Sequence, residues 1–196
     1  MRRMKPHPIL IAAVLLPLAA CVRIGEKPPA SLMTLTSAAA LPAGPPRTAR
    51  DGQAVAVLVP SVPQALNVLR VPVQTGPTGL AYLKDAQWVE PPARLFRNLL
   101  AETIAARTGR PVFDLRQYSL APGMRLAGRL QQFGLDAGSG EVVVIYDATL
   151  ARGNDVETRR FEARTKVTRE EPGPVSAALN QGANEIAVQV ADWIGA

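Results

Sequence analysis

The chain has 196 residues, of which 47% are hydrophobic and 19% are charged, a globular composition that argues against disorder. Its single cysteine excludes a disulfide within the chain and any metal site that needs two thiolates. The formal net charge of +6 falls to about +3 without the three basic residues of the extreme N-terminus, which argues against nucleic-acid binding because that function needs clustered Lys and Arg.

The N-terminus has the parts of a secretory signal. Residues 1–8 are basic, and residues 9–18 form an apolar run too short to span a bilayer, which needs about 20 residues. Residues 18–21 (LAAC) then match the lipobox of bacterial lipoproteins. We therefore expect residues 1–20 to be a signal peptide and Cys21 to carry the acyl chains that anchor the mature protein in a membrane. The alternative is a buried N-terminal helix with an incidental cysteine.

The segment after the cysteine predicts location and reach. By resemblance to other lipoproteins, Val22 is not the aspartate that retains many of them in the inner membrane, so we expect the outer membrane, with the protein facing the periplasm. Residues 21–53 are interrupted by five prolines and are typical of a tether. Within them, residues 32–36 can form a short edge strand. Docking of that strand would limit the free tether to residues 22–30, which reach about 30 Å at most.

Two extended segments and a turn are predicted before the first helix. Residues 54–60 (AVAVLVP) form a nearly continuous apolar run, which indicates a buried strand. Residues 65–73 are a second extended segment, in which Pro72 indicates an edge because proline cannot donate a ladder hydrogen bond. Residues 76–79 (GPTG) are typical of a turn.

Two helices are predicted from apolar residues that recur at spacings of three and four. The first spans residues 91–107, with prolines in its first turn and Gly109 just past its end. Its buried stripe comprises Leu95, Phe96, Leu99, Leu100, Thr103 and Ile104. The second spans residues 174–194, with the stripe Val175, Leu179, Gly182, Ile186, Val190 and Trp193.

Three strands are predicted between the helices, starting near residues 124, 142 and 160. Residues 137–140 (AGSG) make the hairpin turn between the first two. The residues that alternate toward the core are Met124, Leu126, Leu130, Val142, Val144, Tyr146, Ala148, Phe161, Ala163 and Thr165. The order of all elements predicts an α+β fold in which two helices pack on one face of a mostly antiparallel sheet, a single domain over residues 54–196.

The sequence lacks the residues of common catalytic sites. The one histidine, His7, lies in the leader, Cys21 is used for lipid, and no pair of carboxylates stands out. Carboxylate- or lysine-based chemistry is the remaining catalytic alternative. We expect no enzyme activity, no metal site and no cofactor.

Two segments are candidate binding surfaces. Tyr82 and Trp88 bracket a short segment before the first helix and are predicted partner-binding residues of a loop, because Tyr and Trp are favoured interface anchors. The alternative, which we favour for Trp88, is that it caps the core. A basic stripe on the open sheet face can meet anionic lipid or an acidic partner, and its members are Arg125, Arg129, Arg160, Arg164 and Lys166. A solvated strand face laced with Glu157 and Glu162 is the favoured alternative here.

The chain resembles the ABC-type transport auxiliary lipoprotein component family. The resemblance rests on the lipobox, an early strand at residues 32–35, a VPxVP-type first strand at residues 57–63, and the tyrosine-to-tryptophan segment that opens the first helix. It covers most of the mature chain.

The resemblance implies a role beside MCE-type transporters, similar to the Mla and Pqi systems. These use an inner-membrane ATPase and permease with a periplasmic MCE protein that forms a hydrophobic conduit. The auxiliary lipoprotein would dock that conduit so that phospholipid passes between membranes, and a ring-forming homo-oligomer would suit this role. Two other hypotheses stay open: an envelope assembly factor, such as a cell-wall synthesis regulator or a pilotin-like chaperone, and a lipid-binding carrier with an apolar cavity.

Overall fold

The computed structural model describes residues 31–39, 41, 43–44, 48, 50, 52–114 and 122–195. The signal peptide, the lipobox and Cys21 lie outside the described residues. Seven strands and two helices follow one another in this part of the chain. The strands are β1 (Val55–Val57), β2 (Arg70–Gln74), β3 (Leu80–Gln87), β4 (Val112–Phe113), β5 (Met124–Asp136), β6 (Glu141–Arg152) and β7 (Asp155–Lys166). The helices are α1 (Pro92–Thr108) and α2 (Pro172–Gly195), and a 3-10 turn covers Gln64–Leu66.

The α+β class is confirmed, but the sheet is mixed. β5 lies at its centre: one edge pairs antiparallel with β6, which pairs antiparallel with β7. The other edge of β5 is shared, because β1 runs parallel to its beginning and β2 runs parallel to its end. β4 adds parallel to β1, and β3 adds antiparallel to β2. The parallel pairings arise because the chain reaches β5 from β1 through α1, a crossover of the kind that parallel strands require.

The prediction that Pro72 marks an edge strand is wrong. β2 lies between β3 and β5, so neither of its sides is a sheet edge. The pairing of β2 with β3 is irregular between Arg70 and Pro72, and the parallel pairing with β5 involves only Val73 and Gln74. The proline therefore stands where the ladder already departs from regular pairing.

The two helices lie side by side and cover one face of the sheet. α2 packs on β6 and β7, and α1 packs on α2, β1 and β4. α1 ends as predicted, with Gly109 in the left-handed conformation at φ 69°. The predicted buried stripes of both helices lie in the core, except that Trp193 is half-buried.

Aromatic side chains join the helices to the sheet. Phe96 of α1 packs edge-on against Tyr146 of β6, with ring centroids 5.2 Å apart, and lies 6.2 Å from Phe133 of β5. Phe133 in turn lies 5.5 Å from the ring of Trp88. Trp88 follows directly after β3, so these contacts bind the β2–β3 arm into the same core as α1 and β6.

Candidate functional site

Residues 82–88 are not the loop that the sequence predicted. Residues 80–87 form β3, and this strand contains a wide bulge opposite β2. Arg70 pairs with Gln87 whereas Pro72 pairs with Tyr82, so four residues of β3 lie opposite Val71 alone. Lys84 and Asp85 form the exposed tip of this bulge, and Asp85 has the left-handed φ of 56° that non-glycine residues rarely adopt.

The two aromatic residues of this segment hold the bulge in place. Trp88 is 0% exposed and therefore offers no surface to a partner in this structure, where it fills the core as the favoured interpretation had it. Tyr82 is half-buried, its hydroxyl donates a hydrogen bond to the backbone oxygen of Ala65 over 3.4 Å, and the guanidinium of Arg70 lies 4.4 Å from its ring centroid. Partner binding through Tyr82 stays a prediction.

The segment 31–39, which we call the strap, packs on the domain. Met33 is buried, its backbone N–H donates to Gln87 over 2.7 Å, and the N–H of Val89 donates to its carbonyl over 2.9 Å. The expected short strand at residues 32–36 is thus a single parallel bridge between Met33 and Trp88. The strap belongs to the packed domain, which therefore includes residues that precede the predicted domain start at residue 54.

Two asparagines of α2 hold the strap, and the sequence analysis missed both. Asn180 accepts a hydrogen bond from the backbone N–H of Thr36 over 2.9 Å. Asn184 accepts one from the N–H of Ala38 over 2.7 Å and donates one to the carbonyl of Thr36 over 2.9 Å. Ser37 also bonds Thr103 of α1 over 3.1 Å, so the strap contacts both helices. Two asparagines spaced four apart on the same face of the helix were the available signal, because asparagine is a poor helix former.

A small apolar cavity of about 210 Å³ lies beside β5. Leu66, Leu80 and Phe133 contribute apolar wall, and Gln131 and Gln132 contribute amides. The cavity opens along a stretch of β5 that has no strand partner on this side. That stretch lies between the bridge from Ser61 to Arg129 and the pairing of β2 with Leu135 and Asp136. Its volume is below the roughly 300–1,000 Å³ of sites that enclose a drug-sized ligand.

On the open face of the sheet, some arginines of the predicted basic stripe are bonded to carboxylates and others are not. Arg160 donates two hydrogen bonds to the carboxylate of Asp147, at 2.6 and 2.8 Å. Gln131 donates a third to the same carboxylate over 2.9 Å. These hydrogen bonds, with the positive charges of Arg160 and Arg129, lower the pKa of Asp147 to about 2. Arg164 is neutralised in the same way by Glu162, at 2.7 Å.

Arg125 and Arg129 are the arginines of the stripe that are not bonded to carboxylates. Both side chains are exposed, and neither forms a hydrogen bond or ion pair in the described part of the chain. The favoured interpretation of a solvated, charge-paired face therefore fits Arg160 and Arg164 but does not extend to Arg125 and Arg129.

No described helix is long and apolar enough to cross a bilayer. Among residues 31–195, as far as they are described, no group of three or more His, Cys, Asp or Glu side chains is placed to hold a metal ion.

Solved structures share this fold. A crystal structure of a protein from Xanthomonas campestris, assigned to DUF330, matches with a TM-score of 0.69 and 18% identity, over 84% of this chain and 94% of that one. A crystal structure of an uncharacterised protein matches with a TM-score of 0.65 and 20% identity, over 74% and 93%. PelC from Paraburkholderia phytofirmans, a dodecamer, reaches a TM-score of only 0.38 at 15% identity, over 70% of this chain and 86% of its own.

The comparison by sequence identifies the family. None of the curated proteins is significantly similar to the chain. The family model described as the ABC-type transport auxiliary lipoprotein component matches residues 34–191, which begin in the strap and end in the last turns of α2. The chain belongs to the ABC-type transport auxiliary lipoprotein component family.

Proposed function

We propose that the protein is the non-catalytic auxiliary lipoprotein of an MCE-type ABC transport system that moves phospholipid between the membranes. Acyl chains on Cys21 would hold it in the outer membrane, facing the periplasm, where it docks the MCE protein while other subunits hydrolyse ATP. The observation that carries the proposal is the family match over residues 34–191, combined with the lipobox at residues 18–21.

The strap supports the anchoring role. It is fixed to β3 and α2 from Met33 onward, so residues 22–32 separate the first fixed residue from the acylated cysteine. Eleven residues reach about 40 Å at most, which keeps the domain close to the membrane that holds Cys21. A tether this short suits a docking component that must stay at one membrane.

The cavity beside β5 supports docking in preference to carrying lipid. Its volume of about 210 Å³ is below the roughly 300–1,000 Å³ of sites that enclose a drug-sized ligand, and a phospholipid is larger than such a ligand. We therefore assign the passage of lipid to the conduit of the MCE protein.

Affinity purification from membranes tests the proposal. The full-length lipoprotein with a C-terminal tag would be isolated from detergent-solubilised envelopes, and the proteins bound to it identified by mass spectrometry. We expect an MCE-domain protein, a permease and an ATPase. Recovery of cell-wall enzymes or of an outer-membrane secretion machine in their place would support the envelope assembly factor and reject the transport role.

A further inference from the structure

We infer that the open sheet face around Arg125 and Arg129 is the surface that meets an acidic region of the partner protein. This inference rests on the proposed function, because the partner it implies is the MCE protein. We call this surface the arginine patch and define it by Arg125, Arg129, Ala127, Leu58 and Val156.

The strand register brings these residues onto one face. Arg125 lies opposite Ala151, which lies opposite Val156 in β7. Two residues further along, Ala127, Thr149 and Thr158 form the next row across the three strands. Leu58 continues this row on the other side of β5, because its N–H donates to the carbonyl of Leu126 and Ala56 pairs with Arg125.

The floor of the patch is made of small residues, and its two margins are apolar and exposed. Val156 is 64% exposed and Leu58 is 37% exposed. Between them stand the alanines and threonines of the two rows, whose short side chains leave the arginines free to reach outward. Apolar contact area beside arginine is the composition that distinguishes protein interfaces from the rest of a surface.

The guanidinium groups of the patch have no bonded carboxylate in the described chain, unlike those of Arg160 and Arg164, which are held by Asp147 and Glu162. Arg125 lies opposite Ala151, whereas Arg129 lies opposite Asp147 and its charge helps to lower the pKa of that carboxyl group. An unpaired guanidinium can bind a carboxylate through two parallel hydrogen bonds. An acidic protein surface is therefore the complementary partner.

A lipid surface fits the same residues less well. Sequence-recognisable binding to anionic lipid uses clusters of about 4–8 Lys or Arg, and the patch has two unpaired arginines. Its position also differs from that of the anchor. The strap enters beside Pro172 and Gly173 at the start of α2. The patch lies near the other end of this helix. Arg152, which is next to the residue paired with Val156, donates hydrogen bonds to the carbonyls of Trp193 and Ile194 at the helix end. A helix of 24 residues spans about 36 Å, so the patch lies toward the end of the domain that is remote from the anchor.

Site-specific photo-crosslinking in cells tests the arginine patch. The full-length lipoprotein would carry p-benzoyl-phenylalanine in place of Thr158, which lies in the same row as Ala127 of the patch, or in place of Gln181, an exposed position on α2. An MCE-domain protein of the same organism would be co-expressed. We expect capture of the MCE protein from position 158 and not from position 181. The double substitution R125E/R129E should reduce capture about tenfold, because it replaces attraction by repulsion. The matched control K84E/R94E, which changes the net charge equally at two exposed positions elsewhere, should leave it unchanged.

Other outcomes overturn the inference in distinguishable ways. Capture from position 158 that R125E/R129E does not reduce removes the role of the arginines. Capture of lipid, or of a second copy of the chain, from position 158 assigns the surface to a membrane or to self-association. Capture of the MCE protein from position 181 alone rejects the patch and leaves the proposed function standing. If no position captures the MCE protein and affinity purification does not recover it either, the proposed function fails as well.

Discussion

At the scale of single residues, Asp147 organises the charged half of the open sheet face. Its carboxylate accepts hydrogen bonds from Arg160 and Gln131, and these bonds are the main reason that its pKa falls to about 2. A carboxyl group whose pKa is lower in the folded state than in the unfolded chain stabilises the fold above the unfolded pKa. That contribution is lost as the pH falls toward the folded pKa.

The first prediction concerns acid stability. Between about pH 4 and pH 2, the free energy of unfolding of the wild type should fall more steeply than that of D147N, which has no carboxyl group to protonate at this position. Denaturant unfolding at several pH values measures the difference. E170Q, at an exposed position without a bonded partner among the described residues, serves as control and should follow the wild type. Identical slopes for D147N and wild type would contradict the role of Asp147.

Gly128 is required where β5 crosses beneath Tyr146. A Cβ atom at this position would overlap the backbone oxygen of Asp147 and would lie 2.7 Å from Cε2 of the Tyr146 ring. The ring cannot move away freely, because Tyr146 is fully buried and its hydroxyl donates a hydrogen bond over 3.0 Å to the carbonyl of Ala127. The second prediction is that G128A destabilises the fold by about 1–3 kcal/mol, the usual cost of overpacking.

Thermal or denaturant unfolding tests this prediction against G195A. Gly195 is the last residue of α2, and a Cβ atom there meets only Cγ2 of Thr108, at an ordinary contact distance of 3.9 Å. G195A should therefore be close to neutral. Equal stability of G128A and G195A would show that β5 and β6 can separate at no cost.

At the scale of elements, the strap and α2 act as one unit. Asn180 and Asn184 bind backbone groups of residues that lie more than 140 positions earlier in the chain. They provide the hydrogen bonds that a neighbouring strand would otherwise supply. The family match begins at residue 34, within the strap, which agrees with its place in the packed domain.

The third prediction is that N184A loosens the strap. The amide of Ala38 should lose its protection from hydrogen exchange, because its hydrogen-bond acceptor among the described residues is the Asn184 side chain. Stability should fall by about 1–3 kcal/mol, at about 0.5–1.5 kcal/mol for each of the two bonds to the strap. Residue-resolved exchange by NMR measures the first effect. Q181A, on the exposed side of the same helix, should leave the Ala38 amide protected. An unchanged rate in N184A would contradict the role of Asn184 in holding the strap.

The elements differ in how far the sequence could predict them. Both helices and the β5–β6–β7 hairpins were predicted because their apolar spacing and turn residues are local signals. β3 was mistaken for a loop because the bulge at Lys84 and Asp85 interrupts the alternation of inward and outward residues. The sequence left partner binding and core burial open for Trp88, with core burial favoured, because a lone aromatic gives no sign of the Phe133 ring that covers it from 45 positions later. The shared edge of β5 and the strap contacts depend on pairings distant in sequence, which local patterns do not specify.

At the scale of the whole molecule, the domain has two functionally different ends. The chain that leads to Cys21 joins the domain where the strap meets Trp88 and the start of α2. The arginine patch and the C-terminal end of α2 lie toward the opposite end of the long strands, which Arg152 fixes to the helix through the carbonyls of Trp193 and Ile194. One end thus suits attachment to a membrane and the other suits contact with a partner, in agreement with the proposed docking role.

The family assignment could be reached from the sequence because its signals lie in a few short segments, the lipobox, residues 57–63 and residues 82–92. The location of the candidate binding surface could not be predicted from the sequence. The stripe of five cations is visible in the sequence, but which of them are neutralised depends on the β5–β6–β7 register and on the partners Asp147 and Glu162. Only the folded chain separates the paired arginines from the unpaired ones.

Direct binding between two purified proteins tests the central claim most simply. The full-length lipoprotein, acylated at Cys21 and held in lipid nanodiscs, would be immobilised and titrated with an MCE-domain protein of the same organism, with empty nanodiscs as the reference. We predict saturable binding that weakens as the salt concentration rises, because charged groups on the arginine patch steer the contact. An absence of binding at every concentration and salt level, with both proteins folded, would contradict the docking role.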